Sequence, residues 1–177
     1  MCAIELEPVI RTERLRLRKP RLKDARRIAE LANDIEVARN LARMPHPYGL
    51  KDAQEFLARM AGRDPARASL FVIDHEQDGL IGVLGFEPNA QGRTELGYWL
   101  GRPYWGQGYA TEAASAALGW AANDWRRKLV VAGHFADNPA SGEVLIKAGF
   151  LYTGEVQVLA CAARGENVPG RMMVWLA

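Results

Sequence analysis

The stretch "RPYWGQGYATEAA", residues 102–114, sets Gly106 and Gly108 among aromatic side chains and runs straight into an alanine-rich helical pattern. A glycine turn that opens a helix leaves backbone N–H groups unpaired and pointing forward, and the helix dipole adds to their field. Such a place binds anions. Gly106 and Gly108 remove side chains that would keep a phosphate off the backbone, while Ala110, Ala113, Ala114 and Ala117 let the helix lie close on a sheet. Each charge-assisted bond to a phosphate contributes roughly 1.5–3 kcal/mol, so several N–H groups can hold a pyrophosphate without a lysine. A plain tight turn would use the same residues. Two other phosphate loops do not fit: Thr111 stands where a dinucleotide fingerprint needs its third glycine, and the GK[ST] of a P-loop is absent.

Other side chains have the right types for proton chemistry. In "ELGYWL" (95–100) strand alternation places Glu95, Gly97 and Trp99 on one face and Leu96, Tyr98 and Leu100 on the other. In "NPASGEVLIKAGF" (138–150) Asn138 caps a helix, Pro139 opens it and Gly149 closes it. Ser141 then falls on the stripe of Val144, Leu145 and Ala148, where an inward hydroxyl needs a partner; the free N–H groups of the first turn would serve. His134 alternates with Val130 and Ala132 and reads as a hydrogen-bonded strand histidine, although an imidazole there could act as a base. His46 reads as a loop residue, although it could line the entrance of a site. Trp99, Tyr104 and Trp105 could floor a site, but aromatic clusters also fill cores. Cys161 has no histidine or helix start placed to lower its pKa, so it reads as incidental.

These groups need elements to hold them. In "RTERLRLRKPRLKDARR" (11–27) Leu15 and Leu17 alternate with arginines 14, 16 and 18, which predicts a half-exposed strand whose arginine face is either solvated or a patch that receives acidic ligands. Asp24 caps a helix with Ile28, Leu31, Ala32 and Ile35 inward; "MPHPYG" interrupts it, and Asp52 restarts one with Phe56, Leu57 and Met60 inward and Gly62 at its end. "SLFVID", "LIGVLGF" and "ELGYWL" then read as three antiparallel strands joined by turns. A helix over 109–123, the strand "KLVVAGHFA", a helix over 139–148 and two strands around the loop "CAARGENVPG" complete the chain. The order predicts an α/β fold, of the mixed α+β kind: a central, mostly antiparallel sheet with one parallel β-α-β step, flanked by about four helices.

With 177 residues, 49% of them hydrophobic, the sequence suits one domain spanning 1–177. Charges nearly cancel, 23 Lys and Arg against 21 Asp and Glu, which argues against nucleic acid as a partner. The two cysteines, Cys2 and Cys161, and three histidines form no metal-ligand or disulfide pattern, so no metal is expected. No apolar run has signal-peptide or membrane-span length, so a cytoplasmic protein without a membrane partner is expected.

The pair "ELGYWLGRPYWGQGYATEA" and "NPASGEVLIKAGF" resembles the GNAT N-acetyltransferases, specifically their RimJ/RimL-like branch, and the likeness spans nearly the whole chain. That family's Q/R-x-x-G-x-G/A signature falls on residues 105–110, with Trp105 in place of Gln or Arg and with Gly108 and Ala110 matched. The resemblance implies acetyl-CoA as cosubstrate. Its pyrophosphate would lie on Gly106, Gln107, Gly108, Tyr109, Ala110 and Thr111, with Trp105 at the edge of the cofactor site, and its pantetheine arm along Leu96, Gly97 and Tyr98 and against Asn138 and Ser141. Transfer to an amine needs a neutral amine, a place for the oxyanion and a proton for the leaving thiolate. The resemblance gives the last role to Ser141, because the tyrosine that many members use corresponds here to Leu145; Glu95 would accept the amine's proton, or it is only a strand-end carboxylate paired with Arg93 or Arg102. Acceptors implied are a protein N-terminal α-amine or a small amine such as a polyamine or antibiotic. A non-catalytic acyl-CoA sensor is the alternative. A homodimer is common among similar proteins.

Overall fold

The computed structural model describes residues 8–177; Cys2 lies outside them. Eight strands, β1 (Ile10–Arg11), β2 (Leu15–Arg18), β3 (Ser69–His75), β4 (Gly79–Pro88), β5 (Thr94–Leu100), β6 (Leu129–Phe135), β7 (Leu151–Cys161) and β8 (Glu166–Leu176), form one sheet in the order β1-β2-β3-β4-β5-β6-β8-β7. Five helices accompany them: α1 (Ala25–Ala32), α2 (Ile35–Ala38), α3 (Leu50–Ala61), α4 (Tyr109–Asn123) and α5 (Pro139–Lys147). Neighbouring strands run antiparallel except β5 and β6, which α4 joins in parallel. Among the described residues no helix is long and apolar enough to cross a membrane.

Alternation along the strands builds a core on each face, and a small third cluster forms at Phe135, Cys161 and Val168. Leu15, Leu17, Phe71, Ile73, Leu96 and Leu100 pack with Ala113, Ala114, Ala117 and Leu118 of α4. Val72, Leu80 and Val83 pack instead with Ile28, Ala32, Ala53 and Leu57 of α1 and α3. The small residues of α4 bring its axis close to the sheet, and Trp120 fills the far end, edge-on to Phe71 and stacked on Trp125.

Several local features differ from the sequence reading. Ile35 does not extend α1: Asn33 ends that helix, the Asp34 side chain accepts from the Glu36 N–H at 3.0 Å to start α2, and Ile35 is exposed. Helix α3 starts at Leu50, with Asp52 accepting from the Gly49 N–H at 2.7 Å; Phe56 is only half-buried. Arg16 is exposed as expected, but Arg18 is not, since it bridges Asp24 at 2.8 Å and Asp74 at 2.6 Å. Burial pushes the Asp24 carboxyl up, yet hydrogen bonds from Arg18 and the Arg21 N–H hold it below the usual carboxylate range. The loop expected over 161–170 shrinks to a turn over 162–165, because β8 already pairs with β7 from Glu166 onward.

Candidate active site

Strands β5 and β6 share a single registered pair, Glu95 with Val131, and separate beyond it. The gap opens toward their C-terminal ends, where α4 and α5 begin. A cavity of about 420 Å³ fills it, lined by Tyr98, Trp105, Gly108, Thr111, Asn138 and Ser141 and, from the opposite layer, by Val37, Asn40 and Leu41. The cleft therefore passes between the strands and touches both layers. Gly106, Tyr109 and Ala110 line it as well, as do Trp99 and Tyr104. Glu95, Leu96, Gly97 and Gln107 do not, Leu96 because its side chain is buried in the α4 core.

The turn into α4 has the geometry its glycines predict. Gly106 and Gly108 have φ of +72° and +81°, the left-handed region that side chains disfavour. The first intrahelical bond runs from the Glu112 N–H to the Gly108 carbonyl at 3.0 Å, so the N–H groups of Tyr109, Ala110 and Thr111 precede helix closure and point out of its start. Trp105, at the first signature position, turns its indole N–H to the Leu100 carbonyl at 2.8 Å. It ties the loop to the end of β5.

One contributor escaped sequence reading. Arg14, just ahead of β2, donates from Nη1 to the Gln107 carbonyl at 3.0 Å and from Nε to Glu112 Oε2 at 2.7 Å, with its guanidinium 4.4 Å above the Tyr109 ring. Thr12 Oγ1 and the Arg14 N–H donate to the other Glu112 oxygen at 2.6 and 2.9 Å. Burial acts to raise the Glu112 pKa, but these bonds hold it below the usual range. A carboxylate in the first turn would repel a phosphate; Arg14 neutralises it. The basic run 11–27 was the only sequence signal.

At the other wall, the Asn138 side chain accepts from the Ser141 N–H at 3.3 Å and so caps α5. The Ser141 hydroxyl is thereby free of the capping role and meets the Tyr98 hydroxyl at 2.8 Å. Val144 and Ala148 on its stripe are half-buried, whereas Leu145 is fully buried. Burial pushes the Tyr98 phenol up to about 12, with the Ser141 bond acting against it.

Glu95 lies on the other face of β5, directly opposite Glu87 of β4. Burial raises its pKa, Glu87 adds to the effect and Arg43 opposes it. The expected pairing with Arg102 is not made, since Arg102 holds Asp34 at 2.8 Å. Arg43 and Arg63 go to Glu87, at 2.5 and 3.4 Å. His134 uses both ring nitrogens: Nδ1 donates to the Phe135 carbonyl at 2.8 Å, which leaves Nε2 to accept from Tyr152 at 2.9 Å. His46 is exposed on its loop, and Cys161 is buried with its thiol toward the Arg39 and Leu41 carbonyls.

Residues 14–151 match the family model described as Acetyltransferase (GNAT) domain. The sequence is 33% identical over 111 residues to the uncharacterized N-acetyltransferase p20 of Bacillus licheniformis, covering 60% of this chain and 62% of that protein. It is 30% identical over 159 residues to the uncharacterized N-acetyltransferase YoaA of Bacillus subtilis (strain 168), covering 83% and 85%. It is 34% identical over 90 residues to the ribosomal-protein-serine acetyltransferase of Escherichia coli (strain K12), covering 49% of each. The fold matches RimL, a ribosomal-protein alpha-N acetyltransferase in complex with coenzyme A, with a TM-score of 0.82 at 20% identity over 96% of this chain and 98% of that one. It also matches spermidine N-acetyltransferase from Vibrio cholerae in complex with CoA and spermine, at 0.77 and 21% identity over 93% and 96%.

Proposed function

Because the chain belongs to the GNAT acetyltransferase family, we propose that it moves an acetyl group from acetyl-CoA to a primary amine by direct attack in a ternary complex. The observation that carries this reading is one cavity shared by the open start of α4, the Asn138 cap and the Tyr98–Ser141 pair, and continued through the splayed strands to α2. The pyrophosphate rests on the N–H groups of residues 106–111, and Asn138 meets the pantetheine arm. The amine enters from the side of Val37, Asn40 and Leu41. Its nitrogen attacks the thioester carbon, the C–S electron pair passes to sulfur, and Ser141 gives the thiolate a proton. Glu95, beyond the cavity lining, receives the proton lost by nitrogen through water.

An N-terminal α-amine is the acceptor we favour. With a pKa of about 7.7–8, roughly a tenth of it is neutral at pH 7, against about one part in two thousand for a lysine near 10.4, so modest machinery suffices. The E. coli relative is named for a ribosomal-protein serine, which supports the same class. The test is CoA release from acetyl-CoA with peptides of differing N-terminal residue, polyamines and aminoglycosides. Peptides with a free N-terminus are expected to give CoA and N-terminally blocked ones none. Release with polyamines or aminoglycosides alone would move the acceptor to small amines, and binding without release from any amine would leave a sensor.

A further inference from the structure

We infer that Tyr98 is a positioning residue for the transfer step: its hydroxyl donates to Ser141 Oγ and so leaves the serine's own proton directed into the cleft. The inference rests on the proposed role of Ser141 as proton donor. The Tyr98 oxygen lies 2.8 Å from Ser141 Oγ and 3.2 Å from the Ser141 carbonyl oxygen. A carbonyl only accepts, so two arrangements exist. In one, the phenol donates to the carbonyl and the serine proton is spent on the phenol oxygen. In the other, the phenol donates to Oγ over the shorter contact, and the serine proton is free.

A thiolate forming in the cavity selects the second arrangement, because its charge attracts the free hydroxyl proton and because the phenol's bond to Oγ polarises that hydroxyl. Both oxygens are held in place. The Tyr98 ring packs against the α4 core, and Ser141 sits in a first turn fixed by Asn138. Burial keeps the phenol protonated throughout the ordinary working range, so it is always available as a donor. Leu145 carries no acidic proton, which leaves this pair as the hydroxyl source among the cavity-lining residues at that wall of the cleft. The step balances without another reagent: sulfur takes the Ser141 proton as the C–S bond breaks, the proton released by the attacking nitrogen passes through water to Glu95, and from there it returns through solvent to restore the serine.

The experiment is a double-mutant cycle with kcat and KM measured at each corner. Tyr98→Phe keeps the ring and removes the hydroxyl; it is expected to lower kcat by about tenfold or more, with the KM for acetyl-CoA within about twofold. In a Ser141→Ala background the same change is expected to have no further effect, and in a Ser141→Thr background, which keeps a hydroxyl, to slow turnover again. Losses that multiply in the Ser141→Ala background, or full kcat in Tyr98→Phe, overturn the inference while a slow Ser141→Ala leaves the parent reading standing. Full turnover in Ser141→Ala overturns both. Calorimetric binding of acetyl-CoA to each variant verifies that the compared proteins are folded; if Tyr98→Phe is not, Tyr98→Trp, with an N–H displaced from the hydroxyl position, replaces it under the same criteria.

Discussion

Arg14 reaches Glu112 with Nε and Nη2, both at 2.7 Å, across 98 residues of chain and beneath the turn that opens α4. The contact joins the start of β2 to the first turn of the helix, and Arg14 also holds the Gln107 carbonyl between the two glycines. It braces a loop whose two glycines lose more conformational freedom on ordering than other residues would.

Arg14→Gln should therefore raise the KM for acetyl-CoA by roughly 3–10-fold with kcat nearly unchanged, the pattern of lost ground-state positioning. The pair is 40% and 18% exposed, so its direct worth to folding is below about 1 kcal/mol. Because the Glu112 pKa is depressed in the folded protein, its stabilisation is present above the ordinary carboxylate pKa and is lost as pH falls through the folded value. Denaturant midpoints of wild type and Glu112→Gln should differ at neutral pH and converge on acidification. A gap that persists in acid contradicts the assignment.

Glu95 has the opposite sign. Its raised pKa, due to burial first and Glu87 second, means that the folded state favours the protonated form. The stability cost builds as pH rises from the ordinary carboxylate pKa and is complete above the folded one, so Glu95→Gln should melt no lower than wild type at neutral pH while turning over more slowly. Loss of turnover should be greatest between the raised Glu95 pKa and the pKa of the acceptor amine, where the carboxylate is ionised and the amine still mostly protonated, and should shrink at lower pH, where Glu95 is itself protonated. Thermal melts and a pH–rate profile on one preparation check both halves. A parallel profile with equal rates returns Glu95 to a structural carboxylate.

Local chemistry was legible in the sequence where it is local in space. Helix α4 spans 109–123 as its glycine start and alanine spacing predict, and the Asn138–Pro139 opening of α5 reads directly. Contacts between distant segments were not legible. Arg18 looks like a solvated strand residue until Asp74, 56 positions away, is brought beside it, and nothing in "ELGYWL" says that Tyr98 will meet a serine 43 positions later. Helix α2, with four residues, is too short to show a period, so its lining of the cleft through Val37 went unseen. Pro169 and Gly170 read as loop, yet they sit in β8 where pairing with β6 ends, so the missing proline N–H costs nothing.

Gly108→Ala separates two uses of that glycine. The φ of +81° alone costs an alanine about 1–2 kcal/mol, and its Cβ would stand 3.4 Å from Arg14 Nη2, on the side of the brace. The substitution should thus lower the melting temperature, and should weaken acetyl-CoA binding by crowding the Arg14 guanidinium and shifting its hold on the turn by a few tenths of an ångström. Gly106→Ala, at +72° with nothing within 4 Å of its Cβ, carries the backbone cost without the contact. Calorimetric titration of both should show the larger loss of affinity in Gly108→Ala; equal losses would mean that only the backbone angle matters.

Restoring the family's tyrosine on α5 should fail. By the resemblance, Leu145 occupies the position from which related enzymes donate a proton, but here its side chain is completely buried against the α4 core rather than open to the cleft. Leu145→Tyr would add volume to a filled site, at about 1–3 kcal/mol, and would bury a hydroxyl without a partner, at about 1–3 kcal/mol more. For a chain of this length the sum lowers the melting temperature by roughly 4–24 °C. Turnover per folded molecule should not rise, and in a Ser141→Ala background the new tyrosine should rescue nothing. Melting curves and kcat of the single and double variants provide the check. A rescue of the Ser141→Ala enzyme by Leu145→Tyr would mean that α5 can turn this position into the cleft, and the division of labour between Tyr98 and Ser141 would then have to be redrawn.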